Sequence, residues 1–192
     1  MGALSGIRVL DFTRVVAGPY CTMLLGDLGA EIVKVEQPGR GDDTRSWGPP
    51  FLEGESTYFL GINRNKKSVC LDLQNGHDLE VVYQLMRQSD IVIENFRSGV
   101  MERFGLGYER WCQDYPGLIY CAISGYGRTG PYKDRAGYDV MVSALGGLMS
   151  ITGTPEGAPV KTGVALTDVI TGLNAFSGIL AALYHRERTG QG

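Results

Sequence analysis

The sequence predicts an α/β domain built on a mainly parallel, Rossmann-like sheet with flanking helices. Three observations carry that expectation. Short apolar runs alternate with segments of helical spacing, as strands do when crossover helices join them. The first strand, helix and second strand fit a βαβ unit of ordinary length. Glycine, at 28 of 192 residues, is well above its usual share and falls mostly at the ends of periodic segments, where tight turns are needed. With 43% hydrophobic and 20% charged residues, the chain is expected to fold as one domain.

Residues 7–12, Ile-Arg-Val-Leu-Asp-Phe, read as a short buried strand, followed by a loop to Gly18. Pro19 suits the first turn of a helix, where its missing N–H costs nothing. Cys21, Leu24, Leu25 and Leu28 continue at helical spacing, and Gly29 closes the helix. Residues 31–35 form the next strand. Residues 37–58 are polar, rich in glycine and proline, and too long for an ordinary connection; such loops are often functional. A strand is expected at 68–73, a helix at 78–87 with Leu79, Val82 and Leu85 on one face, and a strand at 91–93. Short helices over 97–104 and 108–114 precede a strand over 118–123 and a glycine-rich loop over 125–137. A helix at 138–149 and a turn at 153–159 lead to the last helix, 167–188. There Val169, Leu173, Phe176, Leu180 and Leu183 recur at helical spacing while Ile170, Ile179 and Ala182 fill other faces, so this helix is expected to be largely buried. A buried helix that exits through Gly190 leads to a further element, and the chain reads as the N-terminal part of a longer one.

Lys plus Arg number 18 against 21 Asp plus Glu, a net charge of −3. No general basic field exists for nucleic acid or an anionic membrane, so any anion site must be local. Cys21, Cys70, Cys112 and Cys121 lack C-x-x-C spacing and read as reduced core cysteines; His77 and His185 are far apart, so no metal site is expected. No apolar run approaches ~18 residues, and no membrane span is expected. The first residues match neither a signal peptide nor a myristoylation pattern, and the expected location is intracellular and soluble, in the cytoplasm or mitochondrial matrix. The absence of G-x-G-x-x-G after the first strand counts against a nicotinamide oxidoreductase. The absence of G-x-S-x-G counts against a serine hydrolase.

Ligands of open parallel sheets bind beyond the carboxyl ends of the strands, which directs attention to loops starting at Thr13, Glu94 and Ser124. Arg97 and Arg103 either hold phosphate oxygens by bidentate contacts or form a solvated pair. Arg128, Lys133 and Arg135 admit the same two readings, and residues 63–67, Asn-Arg-Asn-Lys-Lys, read as a solvated basic turn. Asp168 lies among apolar residues at the start of the last helix. One reading makes it a carboxylate nucleophile, partly stripped of water. The other makes it a helix-capping acid bonded to backbone N–H groups.

An ordered series of motifs runs along the whole chain: Val9-Leu10-Asp11-Phe12-Thr13 with Ala17-Gly18-Pro19, then Gly29-Ala30-Glu31-Ile32-Val33-Lys34-Val35-Glu36, Asn65-Lys66-Lys67-Ser68, Glu94-Asn95-Phe96, Gly130-Pro131-Tyr132, Thr167-Asp168 and Arg188-Thr189-Gly190-Gln191-Gly192. In these the chain resembles the class III CoA-transferases, which include formyl-CoA transferase, carnitine CoA-transferases and α-methylacyl-CoA racemase. Residues 41–51 are most similar to the succinate–hydroxymethylglutarate CoA-transferase branch. The resemblance implies transfer of CoA from an acyl-CoA donor, such as succinyl-CoA, to a carboxylic acid acceptor. It implies Asp168 as the covalent nucleophile, through an aspartyl anhydride and thioester, with no cofactor beyond CoA itself. CoA contacts are implied at Val15, Val16, Ala17, Leu71, Asn95, Phe96 and Arg97, a phosphate contact at Arg103, and further contacts at Arg135 and Tyr138. A longer chain is implied as well, forming an interlocked homodimer, with the present piece inactive alone.

Two departures matter. Gln37 stands where some members carry a nucleotide-binding arginine, which leaves the 3′-phosphate contact unassigned. Tyr138 stands where the racemase branch has a proton-transfer histidine. Tyrosine, with a reference pKa of about 10, is a poor base near neutrality, which favours transfer over epimerisation. Racemisation and an inactive truncated chain are the alternatives.

Overall fold

A computed structural model describes residues 2–192. In chain order the elements are β1 (Arg8–Asp11), α1 (Ala17–Asp27), β2 (Glu31–Glu36), β3 (Phe51–Leu52), β4 (Glu55–Ser56), α2 (Thr57–Asn63), β5 (Lys66–Cys70), α3 (Gly76–Arg87), β6 (Ile91–Glu94), α4 (Val100–Arg103), α5 (Tyr108–Asp114), β7 (Ile119–Ala122), α6 (Asp139–Leu145) and α7 (Leu166–Thr189). Five strands form one sheet in the order β5-β2-β1-β6-β7, every neighbouring pair parallel, as the alternating pattern predicts. The chain winds outward from β1 to β5, crosses back, and winds outward on the other side from β6 to β7. The reversal falls between β1 and β6, the place where open α/β sheets receive ligands.

Successive strand residues face opposite sides. Val9 packs with Cys21 and Leu25 of α1 and Ile179 and Leu183 of α7; Leu10 packs with Val82 and Met86 of α3 and Trp111 of α5. With helices on both faces, both sides of a strand must be apolar, which explains the uninterrupted runs in the sequence. α1 and α7 approach closely at Gly172, where an added Cβ would lie 2.6 Å from the Ala17 carbonyl oxygen. Gly172→Ala must push α7 away from the start of α1, and overpacking of this kind costs about 1–3 kcal/mol. Chemical denaturation is expected to show that loss; an unchanged midpoint would mean that the two helices have slack.

The structure differs from expectation in several places. β5 begins at Lys66 rather than Ser68, and the supposed solvated turn is only partly solvated. Lys66 points inward with its side chain 3% exposed, bonded to Asp11 and to the Pro19 carbonyl. A buried, paired lysine looks like a turn residue in a sequence. The long loop holds a short hairpin and, beyond it, α2, whose N-cap Ser56 accepts from the Tyr58 and Phe59 N–H groups. The helix expected at 97–104 shrinks to α4, and the one at 138–149 stops at Gly146 and resumes as a 3₁₀ turn, Leu148–Ile151. Of the four free cysteines only Cys21 is buried, and Cys70 is exposed on the edge strand. The largest correction concerns α7. Only Gly172, Ile179 and Leu183 are buried, while Ile170, Leu173 and Tyr184 are exposed. By length and composition alone α7 is also apolar enough to cross a membrane, because its Thr, Asn, Ser and Gly residues break the apolar run without making the helix polar.

Candidate active site

Three loops and the start of α7 converge beyond the carboxyl ends of β1, β6 and β7. In the loop after β1, Val15 has φ 68°, a left-handed conformation that costs a β-branched residue about 1–3 kcal/mol. Neighbouring side chains hold it there. The Asn95 side chain accepts from the Arg14 N–H at 3.0 Å, and its amide donates to the Arg14 carbonyl at 2.7 Å. Asp42 accepts the Val15 N–H at 3.2 Å. Asp42 is buried and pairs at 2.9 Å with the equally buried Lys34, which also donates to the Thr13 carbonyl at 2.6 Å. The result is a loop fixed from both sides, followed by a helix, α1, that has no side-chain cap. Among the described residues, the N–H groups of Val16 and Ala17 have no protein acceptor.

The loop after β7 returns close to its origin. A Cβ on Gly125 or on Gly137 would lie 2.5 Å from the other residue's Cα, so the two backbones touch and the chain between them is cinched at its base. Beyond this neck the chain delivers Tyr138 and Asp139 to α6.

Asp168 sits in the first turn of α7, half-buried. It does not cap its own helix. Asp139 does so from α6: its Oδ1 accepts the Thr167 N–H at 2.8 Å, the Asp168 N–H at 3.1 Å and the Thr167 hydroxyl. The Asp168 carboxylate is thereby left free to face the cavity. Burial, and then the neighbouring negative charge of Asp139, push its carboxyl up to about 6. Burial also raises the Tyr58 phenol, followed by Asp168 and then Asp139, which puts that ring in the field of both acids; it packs on Trp47 with centroids 5.4 Å apart.

These elements surround a cavity of about 680 Å³. Of the residues singled out from the sequence, Val15, Val16, Ala17, Asn95, Phe96, Arg97, Arg135, Tyr138 and Asp168 line it. Asn95 spends its side-chain amide on the Arg14 backbone. Leu71 lines a second, smaller cavity of about 180 Å³ together with Gln37 and Phe104, and Arg14, Asp42 and Phe96 border both. Arg103 lines neither; it is exposed on α4. Arg128 pairs with Glu102, whereas Lys133 and Arg135 reach the larger cavity. Sequence reasoning missed Arg14, Asp42, Trp47, Tyr58 and Asp139. Asp42, Trp47 and Tyr58 belong to the long segment already suspected of function, and Asp139 directly follows Tyr138, yet no local spacing ties Asp139 to a helix 28 residues away.

The family model of CoA-transferase family III matches residues 4–192. The chain is 54% identical over 192 residues to succinyl-CoA:glutarate CoA-transferase of Mus musculus, covering 100% of itself and 44% of that protein. It is 49% identical over 195 residues to succinate–glutarate CoA-transferase of Agrobacterium fabrum, covering 98% of itself and 49% of the relative. The chain thus spans about half the length of these curated relatives. A crystal structure of a CAIB/BAIF family protein from Brucella suis superposes with a TM-score of 0.95 at 46% identity, over 100% of this chain and 51% of that one. A match along nearly the whole chain, agreeing in sequence and in fold, places the protein in CoA-transferase family III.

Proposed function

We propose that the complete enzyme transfers CoA from succinyl-CoA to a dicarboxylic acid and that Asp168 is its nucleophile. The observation that carries this reading is the Asp168 carboxylate: uncapped, half-buried, and open to the large cavity at the switch point of the sheet. Asp168 attacks the thioester carbonyl, forming a mixed anhydride and expelling the CoA thiolate. The thiolate attacks the aspartyl carbonyl, releasing the donor acid and leaving an aspartyl-CoA thioester. The acceptor carboxylate attacks that thioester, expelling thiolate and forming a second anhydride. The thiolate then takes the acceptor acyl group and Asp168 is restored. Each step trades one activated acyl bond for another, so no external energy source is required. The free N–H groups of Val16 and Ala17 are suited to stabilise the transient oxyanions.

The activities for which the mouse and Agrobacterium relatives are named support the succinate and glutarate class of substrates. Val15, Val16, Ala17, Asn95, Phe96, Arg97, Arg135 and Tyr138 would line the path of the pantetheine arm, and Leu71 the nucleotide end. Arg103 would need a ligand that extends beyond the two cavities. An interlocked homodimer would cover the exposed apolar side chains of α6 and α7, Met141, Leu145, Ile170 and Leu173 among them. Racemisation finds no support, since a tyrosine occupies position 138.

Trapping tests the intermediate. The enzyme incubated with succinyl-CoA and then hydroxylamine is expected to carry a hydroxamate on Asp168, read by peptide mass spectrometry; label on another residue instead would reject the assignment. The pH dependence provides a second expectation. The nucleophile is the carboxylate, whose population grows as pH rises through the raised pKa, so the acylation rate should climb with a midpoint at about pH 6. Asp139→Asn keeps an oxygen to cap α7 but removes the negative neighbour, and should move that midpoint down. A midpoint insensitive to Asp139→Asn would sever the electrostatic link between the two acids.

A further inference from the structure

We propose that Arg14 binds a phosphate of the CoA nucleotide in the wall between the two cavities. This rests on the acyl-CoA reading above. The Arg14 side chain borders both cavities. Its Nε is buried and, among the described residues, has no hydrogen-bond partner. Its nearest acid is Asp43, 3.7 Å from Nη1, and that carboxylate is already held at 2.6 Å by Arg40. The guanidinium lies 5.5 Å from the centroid of the Phe96 ring. The backbone below it is pinned on both its N–H and its carbonyl by Asn95. The side chain as a whole is 43% exposed and its Nη1 meets Asp43 only at 3.7 Å, so this planar cation on a rigid base is arranged to offer its Nη groups to an anionic oxygen from outside the chain.

The other charges bordering the smaller cavity are committed. Lys34 is taken by Asp42 and the Thr13 carbonyl, Glu36 by Arg45, and the Asp72 carboxylate by the Gln74 N–H. Gln37 is neutral. Phe96, Phe104 and Leu71 offer the apolar and aromatic walls that suit a purine, and the larger cavity leads to Asp168. A ligand with an aromatic base in the smaller cavity and a thioester at Asp168 passes its anionic segment along Arg14. Guanidinium geometry matches phosphate oxygens bidentately, which an ammonium cannot reproduce.

The test compares binding of CoA, dephospho-CoA and adenosine 3′,5′-bisphosphate to the parent enzyme, Arg14→Gln and Arg14→Lys, by calorimetry, together with KM and kcat. Arg14→Gln is expected to weaken CoA binding roughly tenfold or more, with kcat at saturation nearly unchanged, because uniform binding is lost. Arg14→Lys should fall between the two. If the partner is the 3′-phosphate, Arg14→Gln erases the preference for CoA over dephospho-CoA; if it is the pyrophosphate, both ligands weaken alike. A lower kcat with unchanged KM, or CoA binding equal to the parent's, overturns the Arg14 assignment and leaves the acyl-CoA reading standing. A parent enzyme that binds no CoA at all removes that reading and this one together. Thermal midpoints of the variants separate a folding defect from lost recognition, and Arg14→Lys, which keeps the charge and the aliphatic stem, stays informative if the glutamine variant is unstable.

Discussion

Asp168→Asn is expected to abolish CoA exchange in the complete enzyme, by roughly 10⁴-fold or more, while CoA binding persists. The amide fills the same space but offers no anionic oxygen to the thioester. The same change should not weaken the fold. A carboxyl with a folded-state pKa raised to about 6 holds its proton more tightly folded than unfolded. Stability is therefore lost as pH climbs from the ordinary carboxyl value through about 6, and the loss persists at higher pH. Asparagine carries no such charge, so at pH 8 the variant should melt no lower than the parent. An isotope-exchange assay on protein verified as not deamidated decides the chemistry, and substantial exchange would exclude Asp168 as nucleophile.

Asp42→Ala has the largest expected effect on the fold. It strands the Lys34 ammonium in a site 1% exposed and frees the Val15 and Thr44 N–H groups. Breaking a buried ion pair from one side costs about 3–5 kcal/mol. Replacing both partners, as in Lys34→Met with Asp42→Leu, should recover much of that loss, since an apolar pair avoids desolvation. It should not recover CoA affinity, because the Val15 N–H has then lost its acceptor and the left-handed conformation is held from the Asn95 side alone. Denaturant titration and calorimetry on the two variants test this together. Full recovery of both properties would show that the ion pair supports only the fold.

The sheet was legible because its strands are buried on both faces and so appear as short apolar runs between helical periods. The loops at Val15, Asn95 and Arg135 were legible through the general rule for where such sheets bind. Two kinds of feature were not. Lys66 and Lys34 are buried through pairing with Asp11 and Asp42, and a charged residue in a sequence does not reveal its partner. The burial of α7 was overestimated because apolar spacing reports what a helix could cover, not what covers it. Asp168 shows the same limit in reverse. Its local pattern leaned towards a capping acid, and only the placement of Asp139 across the fold shows that another residue does the capping.

The neck at Gly125 and Gly137 has an evolutionary consequence. With the two ends of the loop joined by backbone contact, residues 126–136 leave and rejoin the scaffold at one point, tied to it further out by the Arg128–Glu102 pair and by the Ser98 hydroxyl on the Lys133 carbonyl. Doubling such a loop costs only about 0.6 kcal/mol in closure entropy. Insertions there would alter what overhangs the larger cavity without displacing β7, Tyr138 or Asp139. Either neck position, by contrast, rejects even a methyl group. Related enzymes that differ in substrate should therefore accept length changes outside Gly130-Pro131-Tyr132 and the cavity-lining Lys133 and Arg135 while keeping two facing glycines at the base.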